Sequence, residues 1–384
     1  MQKTSKRGFM LRISNLIKSS VLDTKERSLD GSIAIWNMTN RCNLSCMHCY
    51  SKATLAGEDP LGFEDIANTL PLMKKAGVKF LIISGGEPLA RGDIFDIAAL
   101  CRELGIVTSL STNGLYIHKS NLEKVVQSFD YIGISIDGSE KTHDRFRALD
   151  GAYALSIKAI SLLAKETKKV GVRFTLTKET KDDLPFIFEL AEKLRIPKIY
   201  ISHLVYSGRG LDNLSMDLSK KERYEAVSYI LDKAFEYFKN GSDIEIVTGN
   251  MEPDAILLSK RFLNKYEEHH HRLISKLESW GGNSAARRML NIDSFGNVKP
   301  DPFSHVVLGN IKEKPFDEIW GDDENGILSF FRGHPRVAGG RCENCDYIRI
   351  CNGGSRARAY AVHGDIRAED PSCYLDEIIS RGAV

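Results

Sequence analysis

The chain has 384 residues, 42% of them hydrophobic and 27% charged, which is enough apolar material for a large core and excludes a disordered or collagen-like chain. Lys and Arg number 53 against 51 Asp and Glu, a formal net charge of +2. No general field therefore draws in nucleic acid or an acidic membrane, and an anionic ligand has to meet local basic residues.

The segment Met1 to Asp30 carries Lys3, Lys6, Arg7, Arg12 and Lys18, and its apolar run is too short for a signal sequence or a membrane span. It reads as an N-terminal extension, residues 1–30, of a cytoplasmic chain. Six β-rich runs then alternate with helical patterns: Ile33 to Trp36, Phe80 to Ile83, Val107 to Leu110, Tyr131 to Ile136, Val170 to Leu176 and Lys198 to His203. Turn signals such as Ser84-Gly85-Gly86, Asn113-Gly114 and Asp137-Gly138 bound them, and amphipathic segments such as Phe63 to Ala76 and Ile94 to Leu104 lie between. Strand, helix, strand in that order predicts an α/β fold with a parallel sheet, either open and doubly wound or a partial barrel. In both, chemistry gathers beyond the C-terminal ends of the strands.

From about Leu211 the pattern is mainly helical, and Glu267 to Trp280 contains His269-His270-His271. Neighbours on a helix point about 100° apart, so these three cannot converge on one ion and are expected to face solvent. A smaller unit follows, with a hairpin at Ile292 to Val298 and four of the eight cysteines between Arg341 and Tyr374. Eight cysteines are too few for a secreted disulfide scaffold, and their clustering points to metal or redox chemistry in a reducing compartment. Cys101 stands alone in a helical pattern and reads as core.

Just after the first run stands Cys42-Asn-Leu-Ser-Cys46-Met-His-Cys49, three thiols within eight residues. Iron-sulfur clusters are normally held by four Cys, so a cube gripped by three leaves one iron open to an outside ligand. A zinc site would want a fourth protein ligand, and buried structural Cys would not need this spacing. Cys342-x2-Cys345-x5-Cys351, then Cys373 after twenty-one intervening residues, supply a full set of four. Here spacing alone does not choose between a second iron-sulfur cluster and a structural zinc.

The pattern C-x3-C-x2-C after a first strand resembles the radical S-adenosylmethionine (radical SAM) superfamily. The resemblance implies a partial (β/α)6 TIM-type barrel over residues 31–235, with 236–384 as a helical linker and a smaller auxiliary Fe-S domain of the SPASM or twitch kind. It implies a [4Fe-4S] cluster on Cys42, Cys46 and Cys49. The open iron of that cluster binds the amino and carboxylate groups of S-adenosylmethionine, and one electron yields a 5'-deoxyadenosyl radical. His48 then falls beside the adenine. Gly85-Gly86-Glu87 is similar to the segment that binds the cofactor's amino group, with Glu87 accepting from the ammonium. Ser111, Asn113 and Ser135 fall where ribose and carboxylate contacts lie, and Arg173 is placed to pair with the carboxylate.

The second cysteine group resembles the opening of a SPASM segment, which implies an auxiliary [4Fe-4S] cluster on Cys342, Cys345, Cys351 and Cys373. Ser355 stands where a full SPASM segment has a further Cys, so one auxiliary cluster is expected, giving two clusters in all.

Within the superfamily the chain is similar to the tetrapyrrole-processing branch of heme d1 and siroheme-dependent heme biosynthesis. The similarity lies in Ile35-Trp36-Asn37, His143-Asp144-Arg145-Phe146-Arg147, His203 to Gly210, Gly281-Gly282-Asn283, Leu308 to Ile311, and Arg356 to Ala359 running to Asp370 through Leu375. It implies an iron tetrapyrrole substrate and a reducing partner such as flavodoxin or ferredoxin. The expected reaction is removal of acetate side chains from 12,18-didecarboxysiroheme to give Fe-coproporphyrin III. The alternatives are the heme d1 reaction at propionates, Fe-coproporphyrin III decarboxylation and, more distantly, peptide modification. A flat macrocycle edged with carboxylates calls for an apolar slot with an arginine rim. Arg145, Arg147, Arg209, Arg287, Arg288, Arg356 and Arg358 are the candidates, with His203 and Tyr206 as further substrate contacts.

Overall fold

The computed structural model describes residues 10–24 and 31–381; Lys3, Lys6 and Arg7 lie outside them. Seven strands follow one another in parallel: β1 (Ser32–Asn37), β2 (Val78–Ser84), β3 (Val107–Thr112), β4 (Tyr131–Ser135), β5 (Val170–Leu176), β6 (Lys198–His203) and β7 (Glu245–Gly249). On the far side of β1 the sheet continues through β8 (Met289–Ile292), parallel to β1. It ends in β9 (Asn297–Lys299) and β10 (Gly309–Asn310), which run antiparallel to their neighbours.

Alternate residues of the strands form an apolar face packed into the core. In β5, Val170, Val172, Phe174 and Leu176 are buried. The helix Leu184–Leu194 packs Leu184, Ile187, Phe188 and Ala191 inward at three- and four-residue spacing, the stripe that keeps one helix face on a core. The long helix Lys220–Lys239 is started by a capping box between Ser219 and Glu222, which satisfies backbone donors that have no partner within the helix. Cys101 is fully buried in the helix Ile94–Glu103, as its isolation suggests.

Three features differ from the sequence reading. The strand β7 falls in a region read as helical; its five residues follow the turn Asn240-Gly241, and so short a run carries little periodicity. The hairpin of the C-terminal part is not a separate sheet, since β8 joins β1 and Asn291 donates from Nδ2 to the Ile35 carbonyl at 2.7 Å. The helix Ile13–Val21, within the stretch read as an extension, buries Ile13, Leu16 and Ile17. It packs on β7 and on the helices Lys220–Lys239 and His270–Trp280, while Leu11 bridges Thr248 antiparallel.

The three adjacent histidines diverge: His269 lies beside Glu268, His270 Nε2 meets Ser259 Oγ at 2.9 Å, and His271 is exposed. Among the described residues no helix is long and apolar enough to cross a membrane.

Candidate active site

The loop after β1 carries Cys42, Cys46 and Cys49, all as free thiols. Each sulfur has a polar neighbour. The Leu44 N–H donates to Cys42 Sγ at 3.4 Å, Arg147 Nη1 donates to Cys46 Sγ at 3.6 Å, and Ser51 Oγ lies 3.3 Å from Cys49 Sγ. Burial pushes the Cys42 thiol up to about 12 and raises Cys46 as well, the nearby Arg147 guanidinium only partly opposing it. Without a metal Cys42 and Cys46 hold their protons, and a bound iron would make thiolates of them. Among the described residues no three or more His, Cys, Asp or Glu side chains are arranged to hold a single ion. Three thiols flanked by donors suit a cuboidal cluster, whose corners are spaced more widely than the donors around one metal.

The turn after β6 clamps this loop. Arg209 donates from its backbone N to the Cys49 carbonyl at 2.8 Å and from Nε to the Cys46 carbonyl at 2.7 Å, with both terminal nitrogens reaching the Ala53 carbonyl at 3.2 Å. Gly208 beside it has φ +57, and a Cβ there would lie 2.3 Å from the Tyr50 carbonyl oxygen. Gly208→Ala is therefore expected to displace the cysteine loop at a cost of about 1–3 kcal/mol. Lower iron content and a lower Tm than wild type, measured on anaerobically purified protein, check this.

At the end of β2 the backbone of Gly86 presses against the same loop, where a Cβ would sit 2.0 Å from the Arg41 carbonyl oxygen. Gly85 and Gly86 line the cavity over the cysteines, as do His48, Ser111, Asn113, Ser135 and Arg173. Glu87 corrects the sequence reading. Its side chain is fully buried, accepting from Thr112 Oγ1 at 2.7 Å and from the Asn113 and Leu89 backbone N–H groups at 2.8 and 3.1 Å. The carboxyl braces the turn after β3 and does not reach the cavity. Asn113 in turn donates from Nδ2 to Asn43 Oδ1 at 2.8 Å, tying that turn to the cysteine loop. His48 is stacked on Phe146 at 4.3 Å, and burial, then Arg147 and Arg209, hold its pKa well below the usual value. The ring is neutral.

A second cavity adjoins the first and shares with it Tyr50, Ser84, Ser111, Arg173, Tyr200, Asn250 and Phe303. Its walls add Trp280, Met251 and Met289, an apolar and aromatic slot. Tyr50, next to the last cysteine of the loop, is held by Asn37 Oδ1 at 3.0 Å and Ser84 Oγ at 3.2 Å, with Phe303 edge-on to its ring at 5.2 Å. Glu252 also lines the slot, with Oε1 accepting from Asn283 at 3.0 Å and Oε2 without a partner. Sequence reasoning missed Asn250 and Glu252 because both follow the unread strand β7. Tyr50 was signalled by its place beside Cys49.

The expected arginine rim is not formed. Among the described residues only Arg173, over the Tyr200 ring at 4.7 Å, is an arginine of the slot, while Arg147 faces the cysteine cavity. Arg145 is exposed and paired with Glu179 at 2.9 Å, and Arg209 holds the loop. Arg287 donates to the Gly281 carbonyl and Arg288 to that of Trp280. Arg356 donates to the Ile366 and Ala368 carbonyls. Arg358, with no exposed surface, grips Asp370 through Nε at 2.9 Å and Nη2 at 2.7 Å. A buried guanidinium needs such partners, because its desolvation is otherwise uncompensated.

Tyr206 is likewise engaged, donating to Asp217 at 2.7 Å beside Ser372. His203 lines the cysteine cavity, but both ring nitrogens are used. Arg223 can only donate, so Nδ1 accepts from it at 3.0 Å, and Nε2 carries the proton to Asp254 at 3.0 Å. Asp254 also accepts from Tyr374 at 2.7 Å. His203 is thus a structural link from β6 to the C-terminal segment and offers no free nitrogen for proton transfer.

That segment carries the second cysteine group. Cys342, Cys345, Cys351 and Cys373 are free and half-buried. Burial is the main cause of the raised pKa of Cys342, Cys351 and Cys373, with Cys345 adding at Cys342, Glu252 and then Cys373 and Cys342 at Cys351, and Asp370 and then Cys342 at Cys373. Cys373 is pushed up to about 11.

Comparison with known proteins decides the family. The radical SAM superfamily profile matches residues 36–191, and an iron-sulfur cluster-binding SPASM profile matches 284–346. The pre-heme d1 synthase of Dinoroseobacter shibae is 38% identical over 375 residues, 95% of this chain and 92% of the relative. The chain belongs to the radical SAM superfamily. The Fe-coproporphyrin III synthase of Methanosarcina barkeri is 35% identical, covering 89% of this chain and 88% of that one, so these relatives lie in the tetrapyrrole branch. The fold is that of a native anSMEcpe structure with bound AdoMet, at a TM-score of 0.70 and 19% identity over 91% of this chain and 97% of that one. The radical SAM domain implies a [4Fe-4S] cluster and S-adenosylmethionine, and the SPASM domain implies an auxiliary iron-sulfur cluster.

Proposed function

We propose that this chain removes acetate side chains from 12,18-didecarboxysiroheme to give Fe-coproporphyrin III, using an electron from a flavodoxin or ferredoxin. In this reading Cys42, Cys46 and Cys49 hold the first cluster, and Cys342, Cys345, Cys351 and Cys373 hold the auxiliary one. The bound cluster and S-adenosylmethionine supply the reductive cleavage that generates the hydrogen-abstracting radical. The chain's own residues do the rest. Gly85 and Gly86 let the backbone come close to the cofactor, Ser111, Asn113 and Ser135 bound its cavity, and Arg173 offers a guanidinium to a carboxylate of cofactor or substrate. The walls of Tyr50, Tyr200, Trp280 and Phe303 exclude water and present flat faces to a macrocycle.

The observation that carries this reading is that aromatic slot, adjoining the cavity over the cysteine triplet, in a chain whose relatives are named for tetrapyrrole synthesis. The 38% identity to a pre-heme d1 synthase, against 35% to the Fe-coproporphyrin III synthase, favours a second reading, the reaction at propionates of the same macrocycle. Reduced, reconstituted protein incubated with 12,18-didecarboxysiroheme and S-adenosylmethionine separates the two by mass spectrometry. A loss matching two acetates supports the first, loss at propionates supports the second, and an unaltered macrocycle rejects both.

A further inference from the structure

The residue Arg147 lies at neither a substrate rim nor the protein surface. It is about nine-tenths buried and donates from Nη1 to Cys46 Sγ at 3.6 Å. Its Nε donates to Asp137 Oδ2 at 2.6 Å, and Nη2 pairs with the same carboxylate. Asp137 has no exposed surface and is itself fixed, its Oδ1 accepting from the Thr175 backbone N–H at 2.7 Å. The guanidinium therefore has one orientation, with an N–H and its positive charge aimed at the most buried sulfur of the triplet.

Hydrogen bonds to cysteine sulfur and nearby positive charge withdraw electron density from a cluster and favour its reduced form. The Asp137 carboxylate offsets part of that charge at Cys46, so the aimed N–H on the sulfur carries most of the effect. We propose that Arg147, locked by Asp137, is a positioning residue that raises the reduction potential of the first cluster through Cys46, making the electron easier to accept. This rests on the assignment of Cys46 as a ligand of that cluster.

The test is an anaerobic redox titration followed by electron paramagnetic resonance, the first cluster being the one whose signal S-adenosylmethionine perturbs. Arg147→Met alone would leave Asp137 buried and unpaired, so the double variant Arg147→Met, Asp137→Asn is used. Its first-cluster midpoint is expected to move to a more negative potential, with full iron content and an unmoved auxiliary midpoint. An unchanged or raised midpoint overturns the proposal. If the double variant takes up no iron, Arg147→Lys decides. The shorter side chain cannot both pair with Asp137 and reach the sulfur, so a smaller negative shift is expected, and its absence overturns the proposal. A wild-type protein with no signal responsive to S-adenosylmethionine would instead reject the assignment of the cluster itself.

Discussion

Cys46→Ala is expected to abolish release of 5'-deoxyadenosine and to halve the iron content, from about eight to about four atoms per chain, the sum and the half of two cubane clusters. The activity loss should exceed about 100-fold, the upper range for changes to the outer partners of metal ligands, because in the proposed assignment a ligand itself is removed. Its position makes the effect severe. Cys46 is the buried thiol of the triplet, held from its carbonyl by Arg209 and from its sulfur by Arg147. The remaining iron belongs to the auxiliary cluster, so Cys46→Ala should keep a brown chromophore and lose only the chemistry. Iron analysis and chromatography of the nucleoside product check both halves.

Arg358→Met is expected to cost about 3–5 kcal/mol, the range for breaking a buried ion pair by removing one partner. Arg358 and Asp370 are both buried, and Arg358 Nη1 also donates to the Leu204 carbonyl at 3.2 Å, linking the C-terminal segment to the end of β6. Burial alone would raise Asp370, but Arg358 and the hydrogen bonds more than offset it, so its pKa is lowered and it stays charged. Asp370 also accepts from the backbone N–H groups of Ser355 at 2.8 Å and Ser372 at 3.1 Å, and its carbonyl accepts from that of Cys373 at 3.0 Å. Loss of the arginine therefore loosens the strand of chain that presents the fourth auxiliary thiol. A large drop in Tm together with loss of auxiliary iron is the expected result. Restoring neutrality with Asp370→Asn in the same chain should recover part of the Tm.

The cysteine triplet, the six alternating β runs and the glycine pair were legible because each is written in local spacing. A thiol pattern or a strand boundary depends on residues a few positions apart. What was not legible depends on partners distant in the chain. Glu87 read as a cofactor contact because a carboxylate after two glycines can face either way. Only the hydroxyl of Thr112 and the N–H of Asn113, brought alongside by the pairing of β2 with β3, turn it inward. Arg356 and Arg358 read as rim residues because charge ordinarily means surface. Their burial follows from carbonyls and a carboxylate gathered by the folded C-terminal segment. His203 had the right place at the end of β6, yet the contacts that occupy both its nitrogens come from Arg223 and Asp254, twenty and fifty-one residues on. The strand β7 was hidden by its brevity, and with it went the residues that follow, Asn250 and Glu252.

The most direct test of the whole account is the electron paramagnetic resonance spectrum of the dithionite-reduced, fully reconstituted protein recorded with and without S-adenosylmethionine. An open corner on the cluster of Cys42, Cys46 and Cys49 predicts that addition of the cofactor shifts the g-values of one of two superimposed reduced-cluster signals. The other signal, from a cluster with four protein ligands, stays where it was. A spectrum that does not respond, or one that contains no reduced iron-sulfur signal from the triplet, would contradict it.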